Sequence, residues 1–193
     1  MLISPPFLSN HQTHPEPANW LDTAMPGDPL GHGKFPVSLN LGWHGGIHLE
    51  APFEDGARLP VRAIADGTVV YIRQPLKPND DHQDPLNYGN ADGFPVWTSN
   101  GCVIIRHATE IGASAQGQAT QVVFYSVYLH LYSIKSSVAL NHPIYRKDEI
   151  GQAGHIYGDC NLLHFEIICD DANLQLLVGR ANGELPVDRK SVV

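Results

Sequence analysis

Four of the eleven histidines sit among neighbours that make chemistry available. His44 and His48 flank Gly45-Gly46-Ile47, His130 lies in Tyr128-Leu-His-Leu131, and His164 lies in Leu162-Leu-His-Phe-Glu166. Neutral imidazole is a frequent metal ligand, and a catalytic zinc ion takes three protein ligands and keeps a fourth position for water or substrate. His44, His48 and His164 supply three such ligands. Any one of these histidines alone is better read as a hydrogen-bonded core or surface residue. The case for a site rests on what surrounds them together.

The i, i+4 spacing of His44 and His48 suits one face of a helix, but Gly45-Gly46 between them disfavours helix. The pair is read instead as a turn, from which His44 enters, followed by a strand that carries His48. In Leu162 to Ile168, alternation puts Leu162, His164 and Glu166 on one face and Leu163, Phe165 and Ile167 on the other, so a histidine shares a face with a carboxylate. His130 is flanked by Leu129 and Leu131, which alternation points the other way.

The elements that must carry these residues read as mainly β. Eighteen Gly and fifteen Pro separate short runs rich in Val, Ile, Thr and Tyr, the pattern of strands joined by turns, and 193 residues suit one globular domain. Residues 1 to 35 are rich in Pro, His, Asn and Gly without periodicity and are expected to form an extended arm wrapping a core, with a short helix around Ala18 to Ala24. The domain proper is expected over 36–180. Val61 to Ile72 predicts a β-hairpin: a strand, a tight Asp66-Gly67 turn and a second strand that pairs with the first. The polar stretch from Gln74 to Gly101 is too long for a hairpin loop and reads as an insertion or rim. Gln121 to Tyr132 is apolar, β-branched and aromatic, as a central strand requires. Gly151, Gly154 and Gly158 predict a turn-rich approach to the Leu162 to Ile168 strand. Leu174, Leu177 and Val178 predict a short terminal helix over Asp171 to Gly179, and 181–193 is read as a tail.

A formal charge of −8 with twelve Lys and Arg and no basic stripe argues against a nucleic-acid binder, which needs clustered basic side chains. Cys102, Cys160 and Cys169 form no CxxC pair, so no zinc knuckle or thioredoxin-like motif is offered. The opening residues lack a basic n-region and a long apolar stretch, so no secretory signal is expected, and no membrane span is expected either.

From about Gly42 to Ile168 the ordered segments resemble the lysostaphin/LytM zinc endopeptidases, which cleave peptide cross-links in bacterial peptidoglycan. The family's His-x-Gly-(Ile/Val)-Asp-(Leu/Ile)-x-(Ala)-Pro reads here as His44-Gly-Gly-Ile-His-Leu-Glu-Ala-Pro52, and its Val-x-Ala-x-x-Asp-Gly-x-Val as Val61 to Val69. Then follow Gly101-Cys-Val-Ile-Ile-Arg-His107, Tyr128-Leu-His-Leu131, Gly151-Gln-Ala-Gly154 and Leu162-Leu-His-Phe-Glu166, in the family's order. The resemblance implies a lysostaphin-type antiparallel sheet core with a groove, a Zn2+ ion on His44, His48 and His164, and His130 as general base or oxyanion donor. Peptidoglycan peptides are the implied substrate.

Two departures fall on the chemistry. The family's aspartate ligand is His48, which gives a three-His site with one more unit of positive charge at the metal. The imidazole's second nitrogen then needs a partner, and Glu50 and Glu166 are candidates. The first histidine of the family's His-x-His is Leu162, so His130 acts alone or with His155 or Tyr157 from the preceding turn. Losing one such donor costs about 10²- to 10³-fold in rate. Two functional readings follow: an active zinc endopeptidase of the cell wall, or a degenerate module that binds cell wall or a protein partner without hydrolysis. The opening Met-Leu-Ile-Ser-Pro-Pro-Phe-Leu, Trp43-His-Gly-Gly-Ile-His48, and Asp170-Asp-Ala-Asn-Leu174 before Gly179-Arg180 also resemble LytM-like domains of type VI secretion cargo. That likeness implies synthesis in the cytoplasm, delivery into a neighbour's periplasm, an antibacterial effector role, and an immunity protein or secretion component as partner.

Overall fold

A computed structural model describes residues 3–10, 17–28, 33–38, 41–89, 95–113 and 119–178. Helix α1 spans Pro17–Ala24. Strands follow in the order β1 Ile47–Glu50, β2 Phe53–Glu54, β3 Ala57–Arg58, β4 Val61–Arg62, β5 Gly67–Arg73, β6 Asn87–Gly89 and β7 Pro95–Trp97. They continue with β8 Gly101–Ala113, β9 Ala119–Ile134, β10 Pro143–Ile144, β11 Glu149–Ile156 and β12 Asp159–Ile168, before helix α2 at Asp171–Val178. The fold is mainly β, as expected.

One eight-stranded antiparallel sheet organises these elements in the order β1-β12-β11-β9-β8-β5-β10, with β4 on β11. β9 is its spine. The β-branched and aromatic run that marks it in the sequence pairs with β8 along one side and with β11 and β12 along the other. Because β12 pairs with β1, β11 and β9 in turn, the sheet curls around that end, where His48 faces His164 across the β1–β12 ladder.

The core gathers Val61, Ile105, Tyr128, Leu131, Ile150 and Leu163, all fully buried. The Tyr128 hydroxyl is satisfied there by accepting from the Ile64 N–H at 3.0 Å. His107 is a core histidine of the ordinary kind, bonded at one ring nitrogen to the Asp66 carbonyl (2.9 Å) and at the other to Ser126 Oγ (2.7 Å), and stacked on Phe124.

Several expectations are corrected by the pairing. The Asp66-Gly67 bend does not close a hairpin: β4 pairs with β11, whereas β5 pairs with β8 and β10. Asp66 Oδ1 instead accepts from the Arg146 N–H, which ties the bend to the chain after β10. Gly151 and Gly154 lie within β11 rather than in turns. A Cβ at Gly151 would run into the Ser133 carbonyl and one at Gly154 into the His130 carbonyl, so these glycines mark close backbone approach inside a strand. Only Tyr157-Gly158 makes a turn, a two-residue loop with φ of 51° and 90° joining β11 to β12.

The N-terminal arm is more than a wrapping: Phe7 is fully buried in the core, and the Ser4 N–H and Arg62 N–H exchange bonds across it with Ile64 and Pro6. The Gln74 to Gly101 stretch carries its own small ladder, β6–β7. α2 begins where predicted, with Asp170 Oδ1 accepting from the Asn173 N–H as an N-cap. Its expected end at Gly179 and the 181–193 tail lie outside the described residues. All three cysteines are free.

Candidate metal centre

Ligand atoms of His44, His48 and His164 lie within 4.8 Å of one another and form a group able to hold a metal ion. His48 and His164 come from directly opposed positions of β1 and β12, hence from one face of the sheet. Both are buried, at 5% and 6% exposure, while His44 is half-buried. The short connection from His44 to β1 works because Gly46 has no side chain: a Cβ there would meet Glu166 Cγ at 2.5 Å and His164 Nε2 at 2.8 Å.

Hydrogen bonds fix which nitrogens face inward. His44 Nδ1 lies 2.7 Å from the Gly46 carbonyl, which only accepts, so the neutral ring is protonated at Nδ1 and carries its lone pair on Nε2. His164 donates from Nε2 to Glu166 Oε1 at 2.7 Å, which leaves the lone pair on Nδ1. His48 Nε2 lies 3.2 Å from His44 Nε2. Two nitrogens on a tetrahedral metal at about 2.0–2.1 Å would stand about 3.3 Å apart, so the spacing of this pair fits shared coordination.

The other nitrogen of His48, Nδ1, is buried without a hydrogen bond and sits 3.8 Å from Asp28 Oδ2. If His48 donates from Nε2 to His44, its Nδ1 turns a lone pair toward a carboxylate. If the proton is on Nδ1, two lone pairs face each other at 3.2 Å, an arrangement a cation between them resolves. The donor set therefore fits a metal.

Protonation is disfavoured at His48, His130 and His164. Burial, reinforced by the neighbouring His164, His44 and His130, lowers the His48 pKa from 6.5 to about 3, against a smaller opposing pull from Asp28. Burial also lowers those of His130 and His164, with the Ser99 carbonyl and Glu166 respectively acting in the opposite sense. Neutral imidazoles are the form a metal requires.

His130 joins the cluster through a backbone irregularity. Two residues on β8, Gly101 and Cys102, oppose Leu131 and Leu129, so His130 is the extra residue of a β-bulge, with φ of 64°. The bulge breaks the alternation and sets its ring 6.2 Å from that of His48 and 6.1 Å from that of His164. Its Nδ1 donates to the Ser99 carbonyl at 2.7 Å, which leaves Nε2 as the lone-pair nitrogen.

The remaining candidates separate. Glu166 orients His164, as a second-layer partner should. Glu50 does not reach the histidines; it pairs with Arg58 at 2.8 Å, because its position opposite Leu162 carries it past the cluster. His155 sits against Tyr132, with ring centroids 6.0 Å apart, and Tyr157 is a half-exposed turn residue. Leu162 is buried opposite Glu50 and Gly154 and brings no polar group.

Sequence reasoning missed Asp28 and Ser99. Asp28 lies in the arm, where no periodicity signals a partner, and Ser99 in the Asn- and Pro-rich insertion. Ser99 holds His130 through its carbonyl while its Oγ accepts from the His155 N–H at 3.0 Å. Compared with known proteins, the chain matches no family model, and no curated protein matches its sequence.

Proposed function

We propose that the chain is a zinc-dependent endopeptidase of the lysostaphin/LytM type acting on the peptides of bacterial peptidoglycan. The observation that carries the reading is the convergence of three imidazole nitrogens freed by bonds at the opposite ring positions or, for His48, by a facing carboxylate. The substrate class rests on the ordered motifs the chain shares with that family. His44, His48 and His164 would hold the ion. A bound zinc ion supplies Lewis acidity, polarising a carbonyl and acidifying water.

His130 supplies the proton chemistry. Its Nε2 is a lone-pair nitrogen in the neutral ring, so it takes a proton from water first and returns it to the leaving amine afterwards. The Ser99 carbonyl holds the ring through both steps. Delivery as type VI secretion cargo, with cytoplasmic synthesis, periplasmic action and a cognate immunity protein, is part of the same proposal.

Purified protein loaded with zinc is expected to release peptides from isolated peptidoglycan, and His44→Ala, His48→Ala and His164→Ala each to lose the metal. His130→Ala keeps the metal but loses release by at least about 10²-fold. No release by wild type, beside an active family enzyme, overturns the proposal.

Leu162 favours a second reading, a binding module without hydrolysis, since a buried leucine takes the place of a polar residue of the family. Under that reading, folded His44→Ala and His164→Ala variants still co-sediment with cell-wall material. Lost binding counts against it.

A further inference from the structure

The arm before the sheet brings a carboxylate to the rear of His48. Asp28 has a side chain only 3% exposed, and its Oδ2 stands 3.8 Å from His48 Nδ1, on the ring side opposite the nitrogen that faces His44. It is held there by backbone pairing: the Asp28 N–H donates to the His48 carbonyl at 3.1 Å and the Glu50 N–H to the Pro26 carbonyl at 2.9 Å. The Gly33 backbone lies directly on the His48 ring, where any side chain would collide with it. The arm therefore fixes both the ring and the carboxylate behind it.

Charge gives this placement a purpose. Three neutral imidazoles leave a divalent cation with its full charge in a buried setting, which is costly unless balanced nearby. Glu166, bonded to His164, is one balancing carboxylate. We propose that Asp28 is the second: a positioning residue whose carboxylate faces His48 Nδ1–H and so favours Nε2 as the metal-binding nitrogen. It restores, one shell further out, the negative charge that an aspartate ligand would supply. This inference rests on the three-histidine metal reading above.

The test is metal affinity, measured by competition between the full chain and a chromophoric zinc chelator. Wild type is expected to bind one zinc per chain, and Asp28→Asn, which keeps size but removes charge, to bind about 10- to 100-fold more weakly. The visible spectrum of the cobalt-substituted variant should shift, and Asp80→Asn, a remote exposed control, should bind as wild type does. In wild type itself, long-range imidazole nitrogen NMR of the zinc form should show His48 protonated at Nδ1 and coordinated through Nε2, a readout independent of whether any variant folds. Unchanged affinity in a folded Asp28→Asn chain, or coordination of His48 through Nδ1, overturns the role of Asp28 alone. A wild-type chain that binds no zinc overturns the metal reading and this inference with it.

Discussion

His48 concentrates the chemistry of the site in one ring. Its folded-state pKa of about 3 against an ordinary 6.5 means that between those values the unfolded chain binds the extra proton. The stability it contributes is therefore complete above about pH 6.5 and lost as pH falls toward 3, and His130 and His164 act in the same direction. Thermal melting of the metal-free protein is expected to fall steadily from pH 7 to pH 4, and His48→Gln, which cannot titrate, to flatten the decline. A melting temperature that rises on acidification would contradict this assignment. The three candidate ligands were legible in the sequence because each histidine stood in a strand or strand-edge context with glycine or a carboxylate beside it. Asp28 was not, because its partnership with His48 depends on strand-like pairing between segments some twenty residues apart, at Gly27 and Leu49, that no local pattern announces.

Strands decide how these rings are aimed. β9 was readable from its β-branched and aromatic run, but its bulge was not: alternation alone would send His130 away from the site, and only the mismatch between Gly101-Cys102 and Leu129 to Leu131 turns it back. Gly154 supports that turn from β11, since a Cβ there would press on the His130 carbonyl and on Ser99 Oγ, the two groups that frame the bulge. Gly154→Ala is expected to destabilise the fold by about 1–3 kcal/mol, read as a lower urea midpoint. Under the proposed function it should also reduce peptide release while leaving zinc content unchanged, because His164 on β12 and His48 on β1 are not displaced. Loss of zinc in that variant would mean that the bulge and the ligands move as one. The β4–β5 hairpin failed as an expectation for a related reason. An Asp-Gly pair specifies a bend, and which strands flank it in the sheet is settled by β11 and β8.

The arm and the sheet are one folding unit. Phe7 lies fully buried among Leu49, Ile64 and Tyr128, so Phe7→Ala should cost about 3–5 kcal/mol, measured by denaturant unfolding, an effect no loosely draped segment would have. Among the described residues, no helix is long and apolar enough to cross a membrane. The arm has a further consequence at the sheet's end. β1 closes the strand order, and its outward N–H groups would otherwise invite another strand, but Pro26, Asp28 and Gly33 already bond to His48 and Glu50 along that edge. An extended peptide cannot then bind by lengthening the sheet at β1. Under the proposed function a peptide substrate would instead lie across the face beside His44 and His130, and the same occupied edge denies a second copy of the chain a place to add its own strand.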